Sequence, residues 1–254
     1  MELSANHKLI VERPNKRVYE DGERVIKVFN STKPVSDVFN EALNLARINE
    51  VGIKSPEVIE VAYIEDNGWA IATKRIEGTT LAALMEEDPV RYYEYLERFV
   101  DLQISVHAQQ SSLLPRARDK YRRMIEGLDA LNATQRYDLL QRLDGMGSYE
   151  HVCHGDFNPT NVIVDANDEL WVCDWAHATQ GAPAADAAMT YLLLALNDRS
   201  QATAYLELFC EKADVPMQVV RRWTSIVAAS ELARARADQD ADFLMGWIDV
   251  FDYQ

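Results

Sequence analysis

The sequence predicts a protein of mixed α and β structure, with strands near the N-terminus and helices through most of the remainder. Short apolar runs separated by turn signals fill the first quarter of the chain, and Asp21-Gly22 is a strong hairpin turn. From Thr80 onward, apolar residues recur at spacings of three and four, as they do on helices. A further strand pair is predicted over 162–164 and 170–173.

Length and composition indicate a globular protein of one large domain or two smaller lobes. The chain has 254 residues, no long Gly/Ser/Pro linker, and 48% hydrophobic and 26% charged residues. No apolar run approaches the roughly 20 residues that span a bilayer. The N-terminus lacks the basic and then apolar order of a secretory signal, so a cytoplasmic location is expected.

The net charge limits the possible partners. Lys and Arg number 26 and Asp and Glu number 41, which gives −15. Nucleic acid and anionic membrane are therefore not expected to bind, because both need a cationic surface. A cationic ligand is compatible with this charge.

The three cysteines show no CxxC pairing, so neither a disulfide framework nor a zinc ribbon is indicated. Several cysteines and histidines do lie near one another along the predicted central hairpin. A soft-metal site is the weaker interpretation, and core cysteines with a loop-bracing histidine are favoured. These residues are His151, Cys153, His154, Cys173 and His177.

The first three predicted strands are Lys8–Glu12, Arg17–Glu20 and Arg24–Phe29. After Arg24 the third strand is an apolar run, Val-Ile-Lys-Val-Phe, in which Lys27 is the one charged residue. A buried, unpaired lysine is costly, so this charge needs either a partner or solvent at a sheet edge. Both interpretations are open at this point.

A helix is predicted over Ser36–Val51, with Ser36 as its N-cap and Gly52 just past its end. It carries Glu41 in its first half and Glu50 in its last turn, where the helix dipole disfavours anions. The next strands are expected at 58–64 and 69–73, around a turn at 65–68.

The rest of the chain is predicted to be mainly helical. An apolar stripe marks a long helix, and its members are Tyr92, Leu96, Phe99, Leu102 and Val106. Further helices are expected at 118–143 (one or two helices), 187–196, 200–212, 217–237 and from 243 to the end.

The central hairpin carries the residues with the clearest chemistry. Asp156 precedes Asn161 by five residues in a loop that Pro159 keeps from becoming a helix. The strand pair that follows returns Asp174 to the same end of a small sheet. Carboxylate and amide oxygens are the ligands that Mg²⁺ prefers, together with phosphate oxygens.

His154-Gly155-Asp156-x-x-x-x-Asn161, followed by Asp174 after a strand, resembles the loops of the aminoglycoside phosphotransferase and choline kinase superfamily. These enzymes are small-molecule relatives of the protein kinases. The resemblance implies a two-lobed protein-kinase-like fold. Residues 1–76 would form a small nucleotide-binding lobe with an antiparallel sheet and one helix, and residues 77–254 a mainly helical catalytic and acceptor-binding lobe.

The resemblance also implies a role for each matching residue. Asp156 is the expected catalytic base, Asn161 and Asp174 the expected Mg²⁺ ligands, and Lys27, oriented by Glu41, the expected phosphate-binding residue. Backbone groups at a hinge would hold the adenine ring, and the residues there are Thr73, Lys74 and Ile76. His107 and His154 are expected to be structural, and Asp186 to brace the catalytic loop or to cap a helix.

The expected reaction moves the γ-phosphate of Mg·ATP or Mg·GTP to a hydroxyl of a small molecule. The candidate acceptors are an aminoglycoside, choline or ethanolamine, homoserine, a sugar and a macrolide, and the protein would be a monomer or a homodimer. Two alternatives stay open: a nucleotide-binding regulator without turnover, and a protein kinase. The short segment between Asp174 and Gly181, without an activation loop, opposes the protein kinase.

Two features bear on phosphate and acceptor binding. The turn Arg13-Pro14-Asn15-Lys16 contains no glycine, whereas protein kinases cover the phosphates with a glycine-rich loop. Lys16 or Arg17 could substitute by charge. The resemblance implies that C-terminal helices line much of the acceptor pocket, and acidic and aromatic residues near this C-terminus then predict an amine-bearing acceptor. A solvated acidic surface is the alternative interpretation, and it stays open. The residues are Glu231, Asp238, Asp240, Asp242, Trp247, Asp249 and Phe251.

Overall fold

A computed structural model describes residues 1–64, 68–234 and 240–249, and it confirms a mixed α and β fold. The chain forms two compact units. The first comprises Met1–Asp88 and Pro159–His177, and the second comprises Pro89–Asn158 and the described residues from Ala178 onward. The lobe boundary between residues 76 and 77 stays a prediction. Among the described residues, no helix is both long and apolar enough to cross a membrane.

The first unit contains a five-stranded antiparallel sheet with strand order β1-β2-β3-β5-β4. The β2–β3 turn places Gly22 at φ 62°, a left-handed conformation that glycine adopts without strain. Of the turn predicted at 65–68, residues 65–67 lie outside the described residues, and Gly68 begins β5. The strands are β1 Lys8–Arg13, β2 Lys16–Asp21, β3 Arg24–Phe29, β4 Val58–Ile64 and β5 Gly68–Lys74.

Helix α1, Val35–Glu50, packs on the face of this sheet that includes Phe29 and Ile71. Ile26 and Val28 point to the other face, where they join a separate apolar cluster. The predicted N-cap at Ser36 is wrong. The helix follows Pro34, whose fixed φ suits a helix start, and Ser36 is already inside the first turn.

The remaining elements of the first unit form a small sheet of order β6-β8-β9 with one short helix. Strand β6 lies so close to β8 at Gly78 that a Cβ added there would be 2.2 Å from the carbonyl oxygen of Val164. Glycine, which has no Cβ, permits this approach. These elements are β6 Gly78–Thr80, α2 Leu81–Glu87, β8 Val162–Asp165 and β9 Leu170–Val172.

The second unit is mainly helical around one antiparallel strand pair, β7 His151–Cys153 and β10 Thr179–Gly181. Leu96, Phe99 and Val106 of the predicted stripe are buried. The helices are α3 Tyr92–His107, α4 Ala117–Glu126, α5 Ala133–Gly145, α6 Pro183–Ala195, α7 Arg199–Ala213, α8 Met217–Arg221, α9 Thr224–Ala233 and α10 Ala241–Asp249.

Several predicted helix boundaries differ from those observed. The helix expected at 217–237 is two helices, α8 and α9, and residues 235–239 lie outside the described residues. Helix α6 begins at Pro183 instead of Ala187, because proline suits the first helical position. Helix α10 begins at Ala241, and residues 250–254 lie outside the described part of the chain.

Candidate active site

Lys27 lies on β3, between β2 and β5, and its ammonium group contacts two carboxylates. Lys27 Nζ is 2.9 Å from Glu41 Oε1 and 2.9 Å from Asp174 Oδ1. Burial alone would lower the pKa of Lys27, but the charges of Asp174 and Glu41 outweigh it and raise that pKa. The interpretation of Lys27 as an edge lysine in solvent is therefore wrong. The ion pair forms with Glu41, which is buried, and the competing Glu50 is exposed at the end of α1.

Asp174 follows strand β9, and its carboxylate contacts two ammonium groups. Its Oδ1 faces Lys27, and its Oδ2 is 3.1 Å from Lys16 Nζ. Burial would raise the pKa of Asp174, but Lys27 and then Lys16 hold it well below the usual range. Asp174 is therefore ionised, which is the form that binds a metal.

The hairpin brings the two predicted metal ligands together. The backbone N–H of Cys173 donates to the carbonyl of Asn161 at 2.8 Å. Asp174 is the next residue after Cys173, so its backbone lies close to that of Asn161. Asp174 itself has φ 62°, a left-handed conformation that is uncommon outside glycine and that Asp and Asn tolerate best. An amide oxygen and an ionised carboxylate form a hard donor set, and this set fits Mg²⁺.

Trp175 anchors the turn that follows Asp174. It is 1% exposed, and its indole N–H donates to the carbonyl of Val172 at 2.9 Å. The turn Trp175–His177 packs against helix α1, which also carries Glu41. The turn that contains this tryptophan therefore links the backbone next to Asp174 to helix α1. Glu41 of that helix is the other carboxylate that contacts Lys27.

The predicted hinge residues leave the sheet at the end of β5. Thr73 is buried and pairs with Val25, so it shares the sheet face of Lys27. The backbone N–H of Lys74 donates to the carbonyl of Glu57 at 2.9 Å, so this amide is not available to a ligand unless that bond breaks. Ile76 is half-buried beyond the last strand pairing. Contact of these residues with adenine stays a prediction.

In the second unit, Asp186 holds the loop that carries Asp156. Its carboxylate accepts the backbone N–H of His154 at 3.1 Å and that of Gly155 at 2.6 Å, and it lies 2.9 Å from Nε2 of His107. Burial would raise the pKa of Asp186, but the bond with His107 outweighs this and lowers that pKa. Asp186 lies within the first turn of α6, and the helix-cap alternative is wrong because Ala182 is the N-cap.

The ring of His154 and the side chain of Asn158 fix the backbone of Asp156 from both sides. Nδ1 of the buried His154 accepts the N–H of Asp156 at 3.2 Å, so this nitrogen carries no proton. Nδ2 of Asn158 donates to the carbonyl of Asp156 at 2.9 Å. Gly155 has φ 74°, which permits the sharp bend before Asp156. The predicted bracing role of His154 agrees with this geometry.

A buried relay of side chains that sequence reasoning did not find supports the same loop. The hydroxyl of Tyr205 donates to Gln103 Oε1 at 2.6 Å, and Gln103 Nε2 donates to Thr190 Oγ1 at 3.0 Å. Thr190 Oγ1 donates in turn to the carbonyl of Phe157 at 2.9 Å. Polar residues inside otherwise apolar helix faces were the available signal, because such residues need partners when buried.

Arg234 is the second feature that the sequence analysis missed. Its Nη2 donates to the carbonyl of Gly155 at 2.6 Å, and its Nη1 lies 3.7 Å from Asp156 Oδ1 and 2.9 Å from Glu231 Oε2. Glu231 is fully buried in the apolar helix α9. Two opposite charges three residues apart at the end of an apolar helix indicate such a buried pair.

Lys120, on α4, adds a second cation in the electrostatic environment of Asp156. Burial and then the nearby charge of Arg234 lower the pKa of Lys120, Asp156 and Asp186 act in the opposite direction, and the net result is a pKa of about 7. The charge near Asp156 therefore changes within the physiological pH range.

His107, Cys153 and Asp186 form a buried cluster that could in principle hold a metal ion. Burial raises the pKa of the Cys153 thiol well above its usual value, so the thiol keeps its proton, and it donates to the carbonyl of Ala182 at 3.5 Å. Asp186 Oδ1 accepts the N–H of Gly155, and Oδ2 accepts the N–H of His154 and faces His107 Nε2. The hydrogen bonds support bracing of the loop instead of soft-metal binding.

A family model described as "Phosphotransferase enzyme family" matches residues 12–221. The chain belongs to this family. No curated protein sequence matches the phosphotransferase significantly.

Solved structures of aminoglycoside phosphotransferases share the fold of this phosphotransferase. The apo form of a thermostable mutant of APH(4)-Ia has a TM-score of 0.72 at 16% identity, over 96% of this chain and 93% of that chain. An aminoglycoside-3'-phosphotransferase of type VIII has a TM-score of 0.67 at 18% identity, over 89% and 94%. APH(3'')-Id from Streptomyces rimosus ATCC10970, solved with ADP and streptomycin, has a TM-score of 0.61 at 18% identity, over 89% and 92%.

The acidic residues expected at the acceptor site of the phosphotransferase have different surroundings. Glu231 is committed to Arg234, and Asp249 accepts a hydrogen bond from Gln135 at 2.7 Å. Asp240 accepts the backbone N–H of Phe243 at the start of α10, and Asp242 is exposed. Asp238 and Phe251 lie outside the described residues.

Trp247 belongs to an aromatic cluster on the second unit. Its ring centroid is 5.2 Å from that of Tyr191 and 5.3 Å from that of Phe243, and all three side chains are half-buried. The guanidinium group of Arg199 lies over the Phe243 ring, with Cζ 5.3 Å from the centroid.

Proposed function

We propose that this phosphotransferase moves the γ-phosphate of Mg·ATP to a hydroxyl group of a small molecule. The observation that carries the proposal is the Lys27 cluster, in which one half-buried ammonium group contacts both Glu41 and Asp174 at 2.9 Å. A lysine fixed in this way can hold phosphate oxygens, and its neighbour Asp174 is ionised for a metal. Similar structures were solved with ADP and with AMP-PNP, which supports ATP over GTP.

Each predicted residue has one task in the proposed reaction. Asp156 accepts the proton of the acceptor hydroxyl, Lys27 binds phosphate oxygens, and Asn161 and Asp174 hold Mg²⁺. When bound, Mg²⁺ supplies neutralisation of phosphate charge. Thr73, Lys74 and Ile76 contact adenine; Lys74 does so through its carbonyl group, because its N–H is already bonded to Glu57.

For the acceptor we propose an amine-bearing small molecule with a free hydroxyl. Support comes from the net charge of −15, the exposed Asp242, and the half-buried aromatic faces of Tyr191 and Trp247. A cation over such a face gains about 0.5–2 kcal/mol. Related folds were solved with hygromycin B and with streptomycin.

An ATP-consumption screen over hydroxylated acceptors tests the proposal. The panel contains aminoglycosides, choline, ethanolamine, homoserine, neutral sugars and a macrolide, with product identified by mass spectrometry. The Asp156→Asn variant is the control for each acceptor. We expect at least one amine-bearing acceptor to be phosphorylated by the wild type and not by the variant. Equal ATP consumption by the two proteins for every acceptor would contradict the proposal.

A further inference from the structure

The turn between β1 and β2 is short and tied to the end of β3. It consists of Pro14 and Asn15, and the flanking residues Arg13 and Lys16 pair directly. Nδ2 of Asn30 donates to the carbonyl of Pro14 at 2.7 Å, and the backbone N–H of Asn30 donates to the carbonyl of Asn15 at 3.1 Å. Pro14 has no N–H to offer. This turn therefore cannot spread backbone amides over phosphates as a glycine-rich loop does.

Strand register shows which cation of this hairpin can take over that task. Lys16 pairs with Phe29, and Val18 pairs with Lys27, so Lys16 lies on the sheet face of Lys27. Arg17 pairs with Val28 on the opposite face. Its Nε donates to Glu12 Oε1 at 2.8 Å. Of the two cations, Lys16 is therefore the one that faces the Lys27 cluster.

Lys16 occupies one of the two oxygens that Asp174 would offer to a metal. Lys27 contacts Oδ1 and Lys16 contacts Oδ2, so two ammonium groups compete with any other cation for this carboxylate. Lys27 is also held by Glu41. Within the described part of the chain, Lys16 contacts no second carboxylate, and its side chain is 22% exposed. Lys16 is thus the ammonium group that can leave with the least loss.

We propose that Lys16 is a phosphate-binding residue that rests on Asp174 in the nucleotide-free protein and moves to the phosphates when Mg·ATP binds. The inference rests on the proposed function, because it needs a phosphate-bearing ligand at Lys27. The flexible lysine stem and its three N–H donors suit this exchange of partners. One side chain then performs two tasks: it neutralises Asp174 before binding and replaces the glycine-rich loop after binding.

Binding measurements on two adjacent substitutions test this assignment. Lys16→Gln removes the ammonium group that faces Asp174, and Arg17→Gln removes the neighbouring charge on the other face. Calorimetry gives the affinities for ADP and AMP-PNP with Mg²⁺ and for adenosine. Electron paramagnetic resonance of Mn²⁺ gives the affinity of the nucleotide-free protein for a divalent cation.

The two readouts should move in opposite directions for Lys16→Gln. We expect Mg·ADP and Mg·AMP-PNP to bind about tenfold more weakly, as for loss of a charge-assisted hydrogen bond, and adenosine to bind as it does to the wild type. Mn²⁺ should bind more tightly without nucleotide, because Asp174 Oδ2 has lost its competitor. Arg17→Gln should change none of these affinities, and Lys16→Arg should bind nucleotide more tightly than Lys16→Gln.

Two results would overturn the inference. If Lys16→Gln binds Mg·ADP as tightly as the wild type does, Lys16 does not hold phosphate. If its affinity for Mn²⁺ is unchanged or weaker, Lys16 does not compete at Asp174. Failure of the proposed function looks different, because in that case the wild-type protein itself would bind neither Mg·ADP nor Mg·AMP-PNP.

Discussion

Asp156 and Asp174 differ in their surroundings, and the difference assigns them different work. Asp174 accepts contacts from two ammonium groups at 2.9 and 3.1 Å, which hold it ionised. Asp156 Oδ1 lies farther from the guanidinium group of Arg234, at 3.7 Å from its Nη1. Asp156 is 14% exposed on a loop whose backbone is fixed at residues 154, 155 and 157. A carboxylate with a fixed backbone is suited to proton transfer from a bound hydroxyl.

Asp156→Asn should therefore lose turnover without losing nucleotide. The amide cannot accept the proton, so kcat should fall by about 10²–10⁴-fold, while the Kd for Mg·ATP stays close to that of the wild type. Asp174→Asn is the matched control, and it should weaken Mg·ATP binding. Near-full activity of Asp156→Asn, measured by coupled ATP hydrolysis with the best acceptor, would remove Asp156 from the mechanism.

Arg234→Met should destabilise the fold and slow the reaction. The substitution removes the cation that faces the fully buried Glu231 and the donor to Gly155, and loss of one partner of a buried pair costs about 3–5 kcal/mol. Urea denaturation gives the stability. Arg234→Met with Glu231→Gln should recover part of it, because the buried negative charge is removed as well. A stability equal to that of the wild type in the single variant would contradict this account.

Lys120 should make stability depend on pH. Its pKa is about 7 in the folded protein against 10.5 ordinarily, so between these values the unfolded chain binds a proton that the folded protein does not. Stability attributable to this group therefore rises with pH from about 7 to about 10. Relative to Lys120→Met, the wild type should gain stability over that range in urea denaturation. Lys212→Met, which removes a half-buried lysine paired with Asp101, is the control; relative to this variant the wild type should show no such gain. A parallel pH dependence in wild type and Lys120→Met would exclude the effect.

At the scale of elements, the hairpin β8–β9 and its following turn form the part that should report ligand binding. Trp175 is buried, adjoins Asp174, and is bonded to the carbonyl of Val172. A change in the charge or position of the Asp174 carboxylate should therefore alter the environment of the indole ring, which is buried and hydrogen-bonded in place.

Tryptophan fluorescence should change when Mg·ATP is added. The change should disappear in Asp174→Ala and persist in Trp223→Phe, which replaces a buried tryptophan of the second unit. A signal that is lost with Trp223 and retained in Asp174→Ala would show that the β8–β9 hairpin does not respond to nucleotide.

The sequence predicted the elements that local patterns encode and missed those that tertiary contacts decide. Alternation and turn residues located the strands, and the spacing of Asp156, Asn161 and Asp174 located the central hairpin. The break between α8 and α9 falls beside Trp223, whose ring packs on that of Tyr121. Since this contact joins residues that are distant in sequence, no local pattern predicts the break. Arg234 was missed because its partner, the carbonyl of Gly155, is 79 residues away in sequence.

At the scale of the whole molecule, the net charge of −15 should influence acceptor binding. Attraction of a cationic acceptor weakens as salt shortens the Debye length, which is about 8 Å at physiological ionic strength. The acceptor KM should therefore rise with ionic strength. Asp242→Asn should raise it further and leave the KM for ATP unchanged, and Asp129→Asn, at another exposed aspartate, is the control. A KM that is insensitive to salt and to Asp242→Asn would make the acidic C-terminal region a solvated surface.

The first compact unit is built from two separate stretches of the chain, and this has a consequence for folding during synthesis. Residues 89–158 must leave the ribosome before Pro159–His177 can join Met1–Asp88. Until then, Lys27 can pair with Glu41 but not with Asp174, and β6 has no β8 beside it. A nascent chain therefore makes Asp156 before it can complete the cluster around Lys27, and the contact between Lys27 and Asp174 forms only after the loop that carries Asp156 has been translated.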